Sequence, residues 1–179
     1  KTAYEIHERL VGSEMCIRDR YENTIFVFVA DHVSSETFAP KTLTPTGNTQ
    51  IICLIYTPDG SLRGVNRSVA QQIDLMPTLL GLTGYDRPYF AFGRDVLRET
   101  DREPMVSNYA GGTYQGITDS LVLFFDGERT LSAYLRSDTL QKNDISGIRT
   151  PALEAAERDL KARLQQYYRH VKQKDYLAE

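Results

Sequence analysis

An uninterrupted run of apolar and β-branched residues, TIFVFVA at residues 24–30, constrains the fold of this chain more than any other feature. A run of this kind, without polar residues at alternate positions, is typical of a strand buried on both faces of a parallel sheet. The run ends at Asp31-His32, so the expected strand delivers a carboxylate and an imidazole to its carboxyl end. The sequence therefore predicts an α/β layer built around this strand.

A second apolar run, QIICLIY at residues 50–56, predicts another buried strand, which closes at the turn 58–60. The polar, proline-broken segment 33–48 separates the two strands. Residues 68–84 have helical character, and Asp74 is placed to cap the start of the helix.

The second half of the chain predicts a small antiparallel meander followed by a long helix. The four strand candidates are separated by short turn signals, and they comprise residues 105–109, 114–117, 121–125 and 130–135. Thr150 is the predicted N-cap of the terminal helix, and Pro151 is its first residue. One apolar face predicts that this helix packs on the rest of the chain, through Leu153, Ala156, Leu160, Leu164, Tyr167 and Val171.

The opening segment, KTAYEIHERLVGSEMCIRDR at residues 1–20, has no helical or strand period. A common sequencing adapter has two constant ends separated by a variable index. Translated in one reading frame, the constant ends encode the beginning and the end of residues 1–20, and His7 and Glu8 fall at the index. We therefore expect residues 1–20 to be non-native and exclude them from fold reasoning. An ordinary amphipathic helix is the alternative. We therefore also expect that whatever preceded residue 21 in the parent protein, including any signal peptide or membrane anchor, is missing here.

Charge and cysteine content narrow the function classes. Basic and acidic residues balance within residues 1–20, so the formal net charge of -3 belongs to residues 21–179. This mildly acidic balance gives no electrostatic reason to bind nucleic acid. Without Cys16, the remaining cysteine is Cys53, which we expect to pack as a small hydrophobe and which has no disulfide partner. No run approaches the roughly 20 apolar residues of a membrane span.

Asp31-His32 is the one place in the sequence with an obvious capacity for metal chemistry. Ligands bind outside the carboxyl ends of strands in open α/β sheets, so both side chains are aimed at the functional edge. Carboxylate and imidazole together suit Mn²⁺, Zn²⁺ or Mg²⁺. The alternative is a strand-end turn in which the carboxylate accepts backbone N–H bonds.

The surroundings of this pair resemble the C-terminal half of the sulfatase domain of the alkaline phosphatase superfamily. Within it, the likeness is greatest to the lipoteichoic acid synthase-like group. The motifs that carry the resemblance are NTIFVFVADH, Tyr56-Thr57-Pro58, AQQIDLMPTLLGL at residues 70–82, and Phe92-Gly93-Arg94-Asp95. The likeness covers residues 21 to about 97, and the meander and terminal helix fit the family's usual ending more loosely.

The resemblance implies a fold, a metal and two ligands. It implies the C-terminal part of an alkaline-phosphatase-like mixed α/β sheet sandwich, with Asp31 and His32 as metal ligands. The implied cofactor is one divalent ion, commonly Mn²⁺ in this branch, with Zn²⁺, Mg²⁺ or Ca²⁺ as alternatives. The family's nucleophile and a further acidic ligand have no counterpart that can be assigned here, and we expect them upstream of residue 21.

Gln50 marks a departure from the family pattern. Many relatives carry His-x-Pro in the second strand, whereas this chain has Gln50-Ile51-Ile52. Gln50 is a candidate substrate contact, donating to an ester oxygen, and its alternative role is that of a polar residue at the strand entry. The departure favours a one-metal site over a two-metal phosphatase site.

Other polar residues have simpler interpretations. Asp74 is expected to start a helix rather than bind a metal. Arg94 and Asp95 are expected to form a local ion pair, with binding of a substrate anion as the alternative. His170 is expected on a solvated face near the end of the last helix.

Together these features predict residues 21–179 as the C-terminal part of a sulfatase-like catalytic domain. Its predicted parts are an α/β layer (21–100), an antiparallel meander (101–149) and a terminal helix (150–179). The implied function is that of a metal-dependent sulfatase or phospho-transferase, acting on sulfate or phosphate esters through a covalent intermediate. The resemblance also implies an extracytoplasmic location and a membrane anchor, and we expect residues 21–179 alone to be inactive. The alternative is a noncatalytic envelope- or carbohydrate-binding relative.

Overall fold

The computed structural model describes residues 20–33, 39–98, 101 and 103–175. Residues 1–19 lie outside the described residues, so the adapter origin of the opening segment stays a prediction. The chain divides into two compact units. The first consists of Lys1–Phe38 and Asn48–Asn66, and the second of Ala39–Gly47 and Arg67–Glu179.

The first unit contains a 3-10 turn, Tyr21–Asn23, and two strands, β1 (Phe26–Val29) and β2 (Cys53–Tyr56). The strands form an antiparallel pair in which Phe26 lies opposite Tyr56. The rings of Phe26 and Tyr56 are 5.9 Å apart, and the Tyr21 hydroxyl lies 2.5 Å from that of Tyr56. Aromatic packing and a hydroxyl pair thus close one end of this small sheet.

The prediction that β1 lies in a parallel sheet, buried on both faces, is wrong. Its one neighbour among the described residues is the antiparallel β2, and Val29 is 38% exposed. An apolar run indicates a tendency to be buried, but strand direction depends on the connection between strands, which the run does not encode. The second strand is also shorter than expected, because pairing begins at Cys53 rather than at Gln50. Cys53 is exposed, contrary to its predicted packing in the core.

In the second unit, a 3-10 turn, Gln72–Asp74, leads into helix α1, Leu75–Leu82. The helix is shorter than the predicted span of residues 68–84. Asp74 directly precedes α1, as predicted, but its side chain does not cap that helix. Instead it is the third residue of a capping box that begins at Gln71, and its carboxylate accepts from the Gln71 N–H at 2.9 Å. Two further 3-10 turns occur earlier in the chain, at Pro40–Leu43 and Gly47–Thr49.

Gly84 ends α1 in the left-handed conformation, with φ of 69°. The N–H of Tyr85 donates to the Leu80 carbonyl at 2.9 Å, and the N–H of Gly84 donates to the Gly81 carbonyl at 3.2 Å. These two bonds define a Schellman motif, in which glycine accepts a positive φ without a Cβ penalty.

The predicted meander is confirmed as a four-stranded antiparallel sheet in sequential order. Its strands are β3 (Met105–Ala110), β4 (Thr113–Thr118), β5 (Leu121–Phe125) and β6 (Thr130–Leu135). The turn between β3 and β4 is Gly111-Gly112, with φ of 60° and 79°, which is the backbone a two-residue hairpin requires.

The terminal helix, α2 (Pro151–Gln173), packs on the meander and closes the main hydrophobic core. The core residues come from the sheet and from the first half of the helix: Met105, Leu121, Leu123, Phe125, Ala133, Leu153, Ala156 and Leu160. Leu164 packs against this core, whereas Tyr167 and Val171 on the predicted apolar face are 48% and 42% exposed. The packing of the helix is therefore confirmed for its first half. Among the described residues, no helix is long and apolar enough to cross a bilayer.

Thr150 caps α2 as predicted, because its side chain accepts from the Leu153 N–H at 3.2 Å. Thr150→Ala is expected to lower the free energy of unfolding by about 1 kcal/mol, since the Leu153 donor loses its partner. Urea denaturation followed by circular dichroism measures the change. Thr139→Ala is the matched control, because Thr139 is exposed and lies outside any helix. Equal losses in the two variants would contradict a capping role.

Candidate functional site

Asp31 and His32 follow β1 directly, at its carboxyl end. Their side chains are 89% and 79% exposed, respectively, so both are open to solvent. The strand end thus presents the two predicted ligands where an ion or a substrate can reach them.

The hydrogen bonding of His32 fixes its tautomer. Its Nδ1 lies 2.7 Å from the carbonyl oxygen of Val33, which can only accept a hydrogen bond, so Nδ1 carries the proton. In the neutral imidazole the lone pair is then on Nε2. Metal-ligating histidines typically show this arrangement, with the other ring N–H donated to a carbonyl or carboxylate. The bond to Val33, and next the charge of Asp31, raise the pKa of His32 above its ordinary value.

The Asp31 carboxylate lies close to this nitrogen. Its Oδ2 is 3.6 Å from Nε2 of His32. Two donors that each lie about 2.0–2.2 Å from one ion are at most about 4.4 Å apart, so this separation suits a shared ion. The other oxygen, Oδ1, accepts from the His32 backbone N–H at 3.0 Å. This bond forms the strand-end turn that is the alternative to metal binding. The turn orients the carboxylate and leaves Oδ2 beside the imidazole.

Gln50 lies at the same end of the strand pair. The antiparallel register continues past Val29 and Cys53, because the Ala30 N–H donates to the Ile52 carbonyl at 3.2 Å. Gln50 lies two residues before Ile52, beyond the last paired residues. Gln50 is exposed and precedes β2 by three positions, which fits both a substrate contact and a polar residue at the strand entry.

Within residues 20–33, 39–98, 101 and 103–175, no group of three or more His, Cys, Asp or Glu side chains is arranged to hold a metal ion. Asp31 and His32 are therefore a pair of donors at the strand end. Their chemistry, one carboxylate and one imidazole, suits a divalent ion of the Mn²⁺ or Zn²⁺ type.

Asp74 has a structural role. It is 4% exposed, and its Oδ1 accepts from the Arg94 N–H at 2.8 Å while Oδ2 completes the capping box. Its carboxylate joins the start of α1 to the Phe92-Gly93-Arg94-Asp95 motif. This contact gives the motif a structural role that needs no bound ligand.

Gly93 in the same motif is required by close backbone packing. A Cβ at this position would overlap the carbonyl of Ile73 and lie 2.8 Å from the Asp74 nitrogen. Gly93→Ala is therefore expected to destabilise the fold by about 2–3 kcal/mol, because backbone atoms have to move apart. Thermal unfolding of the variant measures the loss.

The matched control is Gly147→Ala, since a Cβ at Gly147 meets nothing within 4 Å. Its unfolding midpoint should stay within error of that of the unsubstituted chain. If the unfolding midpoint of Gly93→Ala is also unchanged, the close backbone approach at Gly93 does not limit stability.

The predicted ion pair between Arg94 and Asp95 is wrong. Asp95 pairs instead with Arg98, at 3.3 Å. The Arg94 guanidinium donates to the Val69 carbonyl at 2.9 Å and to the Ser68 hydroxyl at 3.3 Å. Arg94 therefore joins its loop to residues 68–69, whereas Asp95 contacts its own loop at Leu97 and Arg98.

The prediction that His170 lies on a solvated face is also wrong. Its side chain is 21% exposed, and its ring lies 4.8 Å from that of Phe90. Its Nδ1 is 2.7 Å from Oδ1 of Asp175. Phe90 and Phe92, in the loop that follows α1, cover the imidazole. The period of the helix alone does not reveal this long-range contact.

Sequence reasoning assigned no role to Tyr114 and Tyr168, whose hydroxyls meet at 2.6 Å across 54 positions of sequence. The local signals around them, a strand and a helix, indicate only core packing. The only sequence signal for a tyrosine cluster is composition, since the chain has 11 tyrosines and no tryptophan.

Comparisons with known proteins agree with the motifs. Residues 17–85 match the sulfatase family, a range that includes Asp31, His32 and Gln50. A solved structure of a protein in the alkaline phosphatase superfamily from Vibrio parahaemolyticus superposes with a TM-score of 0.68 at 23% sequence identity. The alignment covers 89% of this chain and 38% of the Vibrio protein, so the chain spans well under half of that relative. No curated protein gives a significant sequence match.

The structural match confirms the predicted fold class: the chain has an α/β architecture with antiparallel sheets and a long terminal helix, and it shares this fold with the Vibrio protein. The family match places the Asp31-His32 pair inside the segment that resembles sulfatases.

Proposed function

We propose that this chain is part of a metal-dependent enzyme that cleaves or transfers sulfate or phosphate esters, of the lipoteichoic acid synthase-like type. The observation that carries the proposal is the Asp31-His32 pair. The two side chains share an exposed strand end, with Oδ2 and Nε2 3.6 Å apart, and the imidazole is held in the tautomer that leaves its lone pair on Nε2. Similarity to the sulfatase family over residues 17–85 supports the same reaction class.

In this proposal Asp31 and His32 hold one divalent cation. Mn²⁺ is the proposed ion, because a carboxylate with an imidazole suits it and because the resemblance implies it. When bound, such an ion lowers the pKa of a coordinated hydroxyl and neutralises charge on ester oxygens. The contact from His32 to Val33 keeps the imidazole oriented, and the turn at Asp31 keeps its carboxylate beside it. Neither side chain acts as the acid or the base.

Gln50 is the proposed substrate contact at this strand end. A glutamine amide supplies two N–H donors, which suit the unesterified oxygens of a sulfate or phosphate group. Its exposure and its position before β2, at the end of the strand pair that carries Asp31 and His32, support this role. An amide contact carries no charge, which is consistent with a site that relies on one cation for charge neutralisation.

The nucleophile is not assigned to any residue of this chain. Catalytic metal sites typically have about three protein ligands and one open position, whereas the pair provides two. We therefore propose that the remaining ligand and the nucleophile are supplied by the rest of the catalytic domain, and that the chain alone binds metal weakly. By resemblance alone, we also propose that the parent protein acts outside the cytoplasm and is anchored in a membrane.

The test is ester turnover by the parent protein with its complete catalytic domain. Nitrophenyl sulfate and nitrophenyl phosphate are assayed with Mn²⁺ and after treatment with a chelator. Metal-dependent turnover of either ester would support the proposal, and the preferred ester would identify the substrate class. Metal loading without turnover of either ester would contradict it and would favour the noncatalytic, carbohydrate-binding alternative.

A further inference from the structure

A groove of about 310 Å³ lies on the second unit, between the meander and α2. Strand and turn residues form one wall, namely Tyr114, Phe125 and Gly127, and helix residues form the other, namely Lys161, Leu164, Gln165 and Tyr168. Its volume is at the lower end of the range for small-molecule sites, about 300–1,000 Å³, so it suits a ligand of one or two rings.

Two tyrosines, Tyr114 and Tyr168, line the groove. Tyr168 is 53% exposed, and the ring of Tyr109, which lies outside the lining, is 4.9 Å from that of Tyr114. The 2.6 Å hydrogen bond between the Tyr114 and Tyr168 hydroxyls links strand to helix and holds both rings in place. Rigid, exposed tyrosines provide apolar contact area at a low entropic cost and carry a hydroxyl at the tip.

The charge in the groove is locally balanced. The Lys161 ammonium lies 2.5 Å from Oε1 of Glu157 and 5.2 Å from the centre of the Phe125 ring. Lys161 lowers the pKa of Glu157, so this carboxylate stays ionised opposite the ammonium. The hydrogen bond with Tyr168 raises the pKa of Tyr114, so its phenol stays protonated at neutral pH. The groove lining therefore offers hydroxyl and amide groups together with one ammonium, whose charge is offset by Glu157 beside it.

We propose that this groove binds a neutral saccharide ring. A sugar has an apolar face of C–H groups, which packs on an aromatic ring, and an edge of hydroxyls. The exposed Tyr168 ring matches the face, and the Gln165 amide and the tyrosine hydroxyls match the edge, since each is both a donor and an acceptor. The inference goes beyond the proposed function and does not depend on the Asp31-His32 pair.

Saturation-transfer NMR on the full chain tests this site. The probes are methyl β-D-glucoside and N-acetylglucosamine, with glucose 6-phosphate as the charged comparison, each at about 20 mM to detect millimolar affinity. Saturation is expected to reach the ring C–H protons of the neutral sugars. Tyr168→Ala is expected to weaken binding at least about fivefold, and Tyr168→Phe, which keeps the ring, to weaken it less. Because Tyr168 is exposed, neither variant should unfold the chain.

The matched control is Tyr134→Phe, because Tyr134 does not line the groove, and sugar binding should be unchanged in it. Three results would overturn the proposal: no saturation of either neutral sugar, equal signals in the unsubstituted chain and in Tyr168→Ala, or stronger binding of glucose 6-phosphate. Self-association that Tyr168→Ala abolishes, without any sugar signal, would instead make the groove a contact between copies of the chain. Asp31→Ala should leave sugar binding intact, so the two proposals fail separately.

Discussion

Asp31→Ala and His32→Ala are each expected to lower Mn²⁺ affinity at least about a hundredfold and to abolish ester turnover in the parent enzyme. Loss of even an outer partner of a ligand typically costs 10–100-fold in metal affinity, and these two side chains are the proposed ligands themselves. Metal content by elemental analysis and ester turnover are measured on the same samples. The two should fall together, because metal and activity share the same ligands.

Asp31→Asn sharpens this test. It keeps the size of the side chain and an oxygen acceptor for the His32 N–H, but it removes the negative charge, and fewer charged ligands bind a divalent ion more weakly. Asp86→Ala is the matched control, since Asp86 is an exposed carboxylate outside the strand end, and it should retain full metal content. Full metal occupancy in both Asp31→Ala and His32→Ala would rule out the pair as ligands.

Local sequence signals were sufficient to predict the turns and helix ends that depend only on neighbouring residues. The Gly111-Gly112 turn requires positive φ at two successive residues, and the sequence offers the residue type that accepts it. Thr150 and Pro151 predicted the start of α2 correctly, because capping involves contacts within one turn. The meander and the terminal helix were therefore predictable from turns, caps and alternation.

Features that depend on distant contacts were not predictable. The apolar run of β1 could not specify its antiparallel partner, and the covering of His170 by Phe90 joins two separate segments. Arg94 was assigned to its sequence neighbour, but its guanidinium donates to Val69, 25 positions away. Pairings of this kind depend on how elements pack, which no short window contains.

The same distinction applies to the candidate site. Asp31 and His32 were identifiable because they are adjacent in sequence and follow a strand. Their mutual geometry, including the bond from His32 to Val33, required the structure. Tyr114 and Tyr168, by contrast, form a site only because α2 packs beside β4, and neither residue is distinctive in its local sequence.

Leu160→Ala is expected to reduce the free energy of unfolding by about 3–5 kcal/mol, a large share of the total stability of a domain. Leu160 is fully buried at the centre of the core between α2 and the meander. Truncation removes its apolar contacts and leaves a cavity that rigid strands do not refill. Chemical denaturation measures the loss. Val171→Ala on the same helix is the control, because Val171 is 42% exposed and should change stability by less than about 1 kcal/mol.

The position facing Leu160 allows a sharper test. A Cβ at Gly116 would lie 3.1 Å from Cδ2 of Leu160, so the glycine makes room for the leucine. Gly116→Ala alone should therefore destabilise the core by overpacking, whereas in the Leu160→Ala background its methyl group should occupy part of the cavity and recover stability. A double-mutant cycle measures this coupling, with an expected compensation of about 1 kcal/mol or more. Strictly additive losses would show that α2 does not press Leu160 against β4 at Gly116.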